Sequence, residues 1–314
     1  DNAYGIHHLY DDEANQDQIL DILSECEKAG NPDMVYEFAS TSKVTFPGSG
    51  VAALATSKNN IEFIKKQMTI QTIGHDKINQ LRHVRYFKDI NGVKKHMMKH
   101  AEKLRPKFQA VITMLDKELK DADIATWTNP KGGYFISFDV MEGCAKKVVQ
   151  MCKKAGMVLT GAGATYPYGK DPEDKNIRIA PSFPSPEELV EASKILIVCT
   201  KIATIEKMLD KSLRNLGMEY VDLYIYHMWD YQTPIYEIME GLNRLVKAGK
   251  VRAIGISNCY AWQLAQAKWW LALTILAPFA LQAWYDAKHS YDIYTELEHY
   301  WNRERRYGIL AGFL

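Results

Sequence analysis

The 314-residue chain is 47% hydrophobic, which is enough apolar sequence for one large core or two smaller ones. Its 39 basic and 38 acidic residues give a formal net charge of +1, and this balance provides no electrostatic attraction to nucleic acid or to an anionic membrane. Five cysteines without a C-x-x-C spacing predict reduced thiols in the cytoplasm and favour neither a disulfide framework nor a metal site.

Apolar periodicity and turn residues predict alternating helices and strands, an α/β pattern, over the first two thirds of the chain. The predicted helices cover residues 15–29, 61–70, 76–87, 91–118, 144–155 and 186–208. The predicted strands cover residues 34–38, 51–57, 133–139 and 176–180. Pro106 lies inside the longest predicted helix, and we expect it to kink that helix.

The last third of the chain predicts a strand over 221–226, a helix over 235–248 and a second strand over 251–256. This β, α, β order is typical of a fragment of a parallel barrel. A long uncharged run follows over residues 269–285, and Pro278 interrupts it. Because a membrane span needs about 20 consecutive apolar residues, we interpret the run as a buried helix end followed by a core strand.

Lys43 lies in a stretch of hydroxyl residues, Ala39-Ser-Thr-Ser-Lys43, and a Pro47-Gly-Ser-Gly50 turn follows it. A partly deprotonated lysine can condense with an aldehyde. The neighbouring hydroxyls and the backbone N–H groups of the glycine turn can donate to phosphate oxygens. An upstream carboxylate could bond a protonated pyridine nitrogen. The pattern therefore favours a Schiff base on Lys43 beside a phosphate group.

Four segments carry a family pattern: Asp1-Asn-Ala-Tyr4, Ser40-Thr-Ser-Lys43, Pro130-Lys-Gly-Gly-Tyr-Phe135 and Asn176-Ile-Arg-Ile-Ala-Pro-Ser182. In this order they resemble the pyridoxal-phosphate aminotransferases of fold type I, the aspartate aminotransferase superfamily, over residues 1–205. The resemblance implies transfer of an amino group between an amino acid and a 2-oxo acid, with pyridoxal 5'-phosphate as cofactor. It also implies a homodimer.

The same resemblance assigns roles to individual residues. Lys43 would form the Schiff base and carry the substrate proton, Asp1 would pair with the pyridine nitrogen, and Tyr4 would pair with the phenolate oxygen. Ser40 would hold the phosphate, with Ser42 as a further cofactor contact. Arg178 would bind the α-carboxylate of the substrate, which suits the bidentate geometry of a guanidinium group.

The chain begins at the aspartate segment, so the family's glycine-rich phosphate turn and its stacking aromatic ring have no counterpart here. The stretch Gly48-Ser-Gly-Val51 carries no charge where the family usually supplies a basic phosphate ligand. We expect a truncated enzyme, with a partial large domain over 1–90 and an interdomain helix plus small domain over 91–207. Catalysis would be impaired unless another chain or segment completes the site.

A second resemblance begins at Leu209 and continues through Gly249-Lys-Val-Arg-Ala-Ile-Gly-Ile-Ser-Asn258. These residues are similar to the aldo/keto reductases, which implies a partial (β/α)8 barrel over residues 208–314. His227 would then orient a carbonyl, and Ser257, Asn258 and Gln282 would contact the nicotinamide of NADP. The other catalytic groups of that family have no counterpart in the chain.

The histidines of the first third show no shared metal spacing; they are His7, His8, His75, His83, His96 and His100. His96 and His100 lie four residues apart without the His-Glu-x-x-His pattern, so we interpret them as a helix surface. Three functional hypotheses stay open: a transaminase, an NADP-dependent aldo/keto reductase, and an inactive chimera of two enzyme fragments. The transaminase is preferred because it covers about two thirds of the residues and includes the covalent lysine.

Overall fold

A computed structural model describes residues 4–227, 235–260 and 262–268. The chain divides into two units, Asp1–Ala203 and Thr204–Leu314. Asp1, Gln282 and the uncharged run 269–285 lie outside the described residues. Within them, no helix combines the length and the apolar character that crossing a bilayer requires.

The first unit combines helices with two separate antiparallel sheets. Its helices are α1 (Ile22–Lys28), α2 (Lys58–Gln71), α3 (Lys77–Phe87), α4 (Ile90–Leu119), α5 (Ala145–Lys154) and the start of α6 (Pro186–Leu216). One sheet pairs β1 (Tyr36–Ser40) with β2 (Ala52–Thr56), and the other has the order β3 (Ala125–Trp127), β4 (Ile136–Val140), β5 (Asn176–Ile179). The described residues thus form a mixed α/β unit, as the sequence predicts.

Polar N-caps determine where several helices begin. The side chains of Asp21, Ser57, Asp76 and Asp89 each accept a hydrogen bond from the backbone N–H three residues later, an interaction that stabilises a helix by about 1 kcal/mol. The predicted helix 15–29 is wrong over its first half, because the cap at Asp21 starts α1 only at Ile22.

The main core of the first unit lies between α4, α5, α6 and the sheet of β3, β4 and β5. Buried side chains alternate along β4, where Ile136, Phe138 and Val140 point inward. They pack with the buried face of α4, which includes Phe108 and Leu115. Each fully buried large apolar side chain contributes about 1.5–3 kcal/mol, so this core fixes β4 and β5 firmly.

Most element bounds agree with the predictions to within a few residues. The main differences are a 3₁₀ turn at Pro32–Met34, which delays β1 to Tyr36, and strand β3, which was not predicted. Helix α4 continues through Pro106 over its whole length. Helix α6 extends eight residues beyond the predicted end at 208.

The second unit contains the predicted strand, helix and strand: β6 (Val221–Tyr226), α7 (Ile235–Lys247) and β7 (Val251–Ile256). The strands are parallel, with Val221 opposite Val251, as expected when a helix makes the crossover. Leu242 and Leu245 of α7 are buried in a small core together with Leu209 of α6. The described residues of this unit show two strands and no barrel, so the predicted barrel is not seen there.

Candidate active site

The N-terminal segment is fixed against the loop before β4. Leu9 N–H donates to Lys131 O at 2.8 Å, and Gly133 N–H donates to His7 O at 2.7 Å. A Cβ atom on Gly132 would lie 2.8 Å from His7 O, so the close approach of these two backbones needs glycine.

This approach brings three aromatic rings together. The ring of Tyr4 lies 5.4 Å from the ring of Tyr134 and 5.7 Å from that of Phe135, measured between centroids. Tilted and edge contacts of this length are favourable for aromatic pairs. Two segments about 130 residues apart in the chain therefore form one aromatic wall.

Lys43 lies in the loop between β1 and β2. Thr41 closes that loop, because its N–H donates to Val51 O at 2.9 Å and its hydroxyl accepts from Val51 N–H at 2.8 Å. Glycine suits position 50, since a Cβ atom there would lie 2.8 Å from Ser42 Oγ and 3.1 Å from the backbone nitrogen of Ser42. The Lys43 side chain is exposed, and no described residue makes a hydrogen bond or ion pair with its ammonium group.

The serines beside Lys43 keep their hydroxyl protons available. Ser40 and Ser42 are half-buried, and the backbone N–H of Ser42 donates to Ser40 Oγ at 3.4 Å. Within the described part of the chain neither hydroxyl donates a hydrogen bond. Both groups can therefore donate to an anion placed at this loop.

Three histidines contact the loop residues. His7 Nε2 lies 3.1 Å from Lys43 O, His96 Nε2 lies 2.9 Å from Val44 O, and His83 Nε2 lies 2.9 Å from Thr41 Oγ1. His7 is only 2% exposed, and burial, the largest effect, lowers its pKa from 6.5. The interpretation of His96 as part of a simple helix surface is wrong, because it is half-buried and bonded to the loop. No spacing in the sequence indicates these contacts.

Arg178 lies on β5 with its guanidinium carbon 4.5 Å from the centroid of the Phe135 ring. Nη2 donates a long hydrogen bond of 3.5 Å to Thr160 Oγ1, and the buried Nε has no partner among the described residues. No described carboxylate forms an ion pair with this guanidinium. Arg178 thus retains donors that suit a carboxylate ligand.

Asn176, two residues before Arg178, has a structural role. Its amide donates to Ser137 Oγ at 2.8 Å and to Asp139 Oδ1 at 2.5 Å, and its oxygen accepts from Thr165 Oγ1 at 2.6 Å. The two bonds to Ser137 and Asp139 join β5 to β4, and the third ties β5 to the loop at Thr165, so together they fix the strand that carries Arg178.

Two neighbouring aromatic residues, Tyr134 and Phe135, connect the predicted site residues of the first unit. Tyr134 donates through its hydroxyl to Lys43 O at 3.4 Å and contacts Tyr4, while Phe135 contacts both Tyr4 and Arg178. The Tyr134–Phe135 pair therefore links the tyrosine, lysine and arginine segments that the sequence singles out. Sequence reasoning gave this pair no role of its own, although the segment 130–135 was part of the pattern.

In the second unit, three predicted residues meet where β6 and β7 end. Ser257 Oγ and Asn258 Nδ2 both donate to His227 O at 3.0 Å. The His227 side chain itself is exposed. The arrangement places these residues at the carboxyl ends of two neighbouring parallel strands, where α/β folds commonly bind ligands.

Comparisons with known proteins follow the same division. The family model for aspartate amino-transferase matches residues 1–212, and the model for the aldo/keto reductase family matches residues 145–298. An aspartate aminotransferase of Corynebacterium glutamicum is 46% identical over 206 residues, which are 66% of this chain and 47% of that protein. The aldo-keto reductase yakc of Schizosaccharomyces pombe is 48% identical over 63 residues, 20% of this chain and 18% of that protein.

Solved structures give the same result for the first unit. The crystal structure of an aspartate transaminase from Corynebacterium glutamicum aligns with a TM-score of 0.61 and 46% identity, over 64% of this chain and 47% of that chain. The chain spans about half the length of the curated aminotransferases that it matches.

Proposed function

Because the chain belongs to the aspartate aminotransferase family, we propose that it transfers an amino group from an amino acid to a 2-oxo acid, with pyridoxal phosphate held by Lys43. The observation that carries this proposal is the link between Tyr4, Lys43 and Arg178 through Tyr134 and Phe135. We also infer that residues 1–90 are part of the family's large domain and residues 91–207 its interdomain helix and small domain.

The residues at the site fit this cofactor and an amino acid substrate. The Lys43 ammonium makes no ion pair with any described residue, and the Ser40 and Ser42 hydroxyls can donate to a phosphate. Among the described residues, the buried Nε–H of Arg178 has no hydrogen-bond acceptor. A buried N–H without a partner costs about 1–3 kcal/mol, so a carboxylate at this position would relieve that cost.

When bound, pyridoxal phosphate supplies an electron-poor ring that accepts the electron pair of a bond at the substrate Cα. Arg178 binds the substrate carboxylate and orients the Cα–H bond. The Lys43 amine would take the proton from Cα as a general base and then deliver it, as a general acid, to the cofactor carbon C4′ that keeps the amino nitrogen, so that the proton does not return to Cα. Tyr4 would hold the cofactor through its phenolate oxygen, and Asp1, which lies outside the described residues, would hold it through the ring nitrogen.

Covalent labelling tests the proposal directly. The purified chain is incubated with pyridoxal phosphate, reduced with borohydride and mapped by peptide mass spectrometry. We expect one adduct, on Lys43, with wild-type labelling in Lys65→Ala, which removes an exposed lysine of α2. Labelling scattered equally over many lysines would contradict the proposal.

A transfer assay then tests the reaction itself. Aspartate is the first amino donor to use, because the C. glutamicum relatives are named for it. The assay follows the appearance of the corresponding 2-oxo acid. We also propose a homodimer in the cytoplasm, and sedimentation of the purified chain tests its oligomeric state.

The convergence of His227, Ser257 and Asn258 favours a second candidate, an NADP site at the ends of β6 and β7. The aldo/keto reductase match includes all three residues, and Gln282 would complete the set from outside the described residues. Titration of NADPH fluorescence tests this candidate. Weaker binding in Asn258→Ala, but not in the exposed control Lys247→Ala, would support it; no fluorescence change would exclude it.

A further inference from the structure

The Lys43 loop is held by imidazole groups from three separate parts of the first unit. His7 comes from the N-terminal segment, His83 from α3 and His96 from α4. We propose that these three histidines are positioning residues that hold the loop in the conformation that presents Lys43. This inference rests on the proposed function for the role of Lys43, but the contacts themselves do not depend on it.

His7 holds the carbonyl of the lysine itself. Because a carbonyl oxygen only accepts, His7 Nε2 carries the hydrogen and donates it to Lys43 O at 3.1 Å. The His7 ring contacts Tyr4 and Tyr134 at centroid distances of 5.6 and 5.0 Å. Since the ring is buried and the His7 carbonyl accepts from Gly133 N–H, the donor has a fixed position.

His96 holds the next residue in the same way. Its Nε2 donates to Val44 O at 2.9 Å, and its Nδ1 accepts from the Tyr86 hydroxyl at 3.2 Å. The Val44 side chain is 2% exposed and packs with Phe87 and Met97. Val44 is therefore fixed through both its carbonyl and its side chain.

His83 connects the start of the loop to α3. Its Nδ1 donates to Asn79 O at 2.9 Å, which leaves Nε2 to accept from the Thr41 hydroxyl at 2.9 Å. The Asn79 side chain also donates to Gly50 O at 3.0 Å, at the other end of the loop. Helix α3 thus holds both ends of the loop.

These contacts explain how the backbone of an exposed lysine can have a defined position. The Lys43 side chain has no fixed partner among the described residues, so its direction depends on the peptide planes on either side of it. A reacting group held in place before the substrate arrives lowers the cost of reaching the reactive geometry. The three histidines need no contact with substrate to have this effect.

Hydrogen–deuterium exchange of the chain without cofactor tests the inference. In His7→Leu and His96→Leu, we expect the backbone amides of residues 41–51 to exchange about 2- to 10-fold faster, because one hydrogen bond to the loop is lost. His7→Gln and His96→Gln supply an amide donor in place of Nε2 and should restore most of the protection. His75→Leu, at an exposed histidine of the same unit, is the matched control.

The position of Lys43 provides a second readout. With pyridoxal phosphate and borohydride, the leucine variants should show a smaller share of labelling on Lys43 than the wild type, and the glutamine variants should recover it. Exchange of the α5 amides, in the main core, checks that the unit is folded. If His7→Leu does not fold, His96→Leu carries the same expectation, because His96 is only half-buried.

The two readouts separate the two proposals. Unchanged exchange of residues 41–51 in the leucine variants, or leucine and glutamine variants that behave alike, would overturn the positioning role. Faster exchange in the leucine variants only, in a chain whose wild type is never labelled at Lys43, would support the histidine contacts and overturn the cofactor assignment.

Discussion

The two units differ in how their candidate sites are assembled. In the first unit, segments near residues 4, 43, 134 and 178 converge through aromatic, hydrogen-bond and cation–π contacts. In the second unit, the described candidates lie within about 30 residues of one another and bond mainly among themselves. The matching relatives have nearly the same identity, 46% and 48%.

Sequence identity alone therefore does not separate the two units, but the length of the match does. The aminotransferase match covers 206 residues and the reductase match 63. A family match supports a site built from distant segments only if it includes every one of those segments and the core that holds them in place. The first unit meets this condition, because the aminotransferase match includes all four segments; three of them lie wholly within the described residues, and the first is represented there by Tyr4.

Removal of the lysine amine has the largest expected effect. Lys43→Ala should abolish the borohydride-fixed adduct and lower the rate of amino transfer by at least the 10²- to 10⁴-fold typical of a lost proton-transfer group, roughly. Lys65→Ala should leave both unchanged. If Lys43→Ala formed an adduct on other lysines at the wild-type yield, there would be no reason to prefer the candidate site of the first unit to that of the second.

Core truncations compare the stability of the two units. Leu115 in the first unit is 0% exposed and Leu245 in the second is 1% exposed. Replacing either leucine with alanine should lower the free energy of unfolding by about 2–5 kcal/mol. Denaturant titrations read by hydrogen exchange of α4 and β7 amides measure the two effects separately.

The control for these truncations is Leu20→Ala, at a leucine that is 79% exposed. Surface substitutions change stability by no more than about 0.5 kcal/mol. A change at Leu245 as small as that at Leu20 would mean that the second core contributes little to the fold.

Substitution of Arg178, the proposed hydrogen-bond donor to the substrate carboxylate, should have a smaller effect that is specific to substrate binding. Arg178→Gln should raise KM for the amino acid about 10- to 100-fold, because hydrogen bonds to a charged group are lost. Arg178→Lys keeps the charge but loses the planar pair of donors, so its KM should lie between the KM of the wild type and that of Arg178→Gln. Arg85→Gln, at an exposed arginine of α3, is the control; an equal rise in KM there would argue against carboxylate binding by Arg178.

The sequence predicted most of the element order and the parallel pair β6 and β7, and it singled out Lys43, Tyr4 and Arg178, which the structure connects through Tyr134 and Phe135; their roles stay predictions. It did so because periodicity and turn chemistry are local, and because the motif residues stand in recognisable strings. It missed β3, which has only three residues, and the start of α1, which depends on a single cap at Asp21. It also missed the histidine contacts, since His7, His83 and His96 meet the loop only through tertiary packing.

The buried histidine contact gives the smallest effect, a dependence of stability on pH. Burial, the largest effect, lowers the pKa of His7 from its usual value of 6.5. The unfolded chain therefore binds more protons than the folded one below about pH 6.5, and the free energy of unfolding should fall as the pH decreases from there. Burial, followed by the nearby His96, also lowers the pKa of His100, so both histidines contribute to the slope of the free energy of unfolding against pH.

The substitution His7→Gln removes one of these two titrating groups without removing the donor to Lys43 O. Denaturant titrations of wild type and His7→Gln from about pH 7.5 to about pH 5.5, read by hydrogen exchange of α4, should therefore show a shallower slope in the variant. Equal slopes would mean that His7 is protonated as readily in the folded chain as in the unfolded one, which its burial between Tyr4 and Tyr134 argues against.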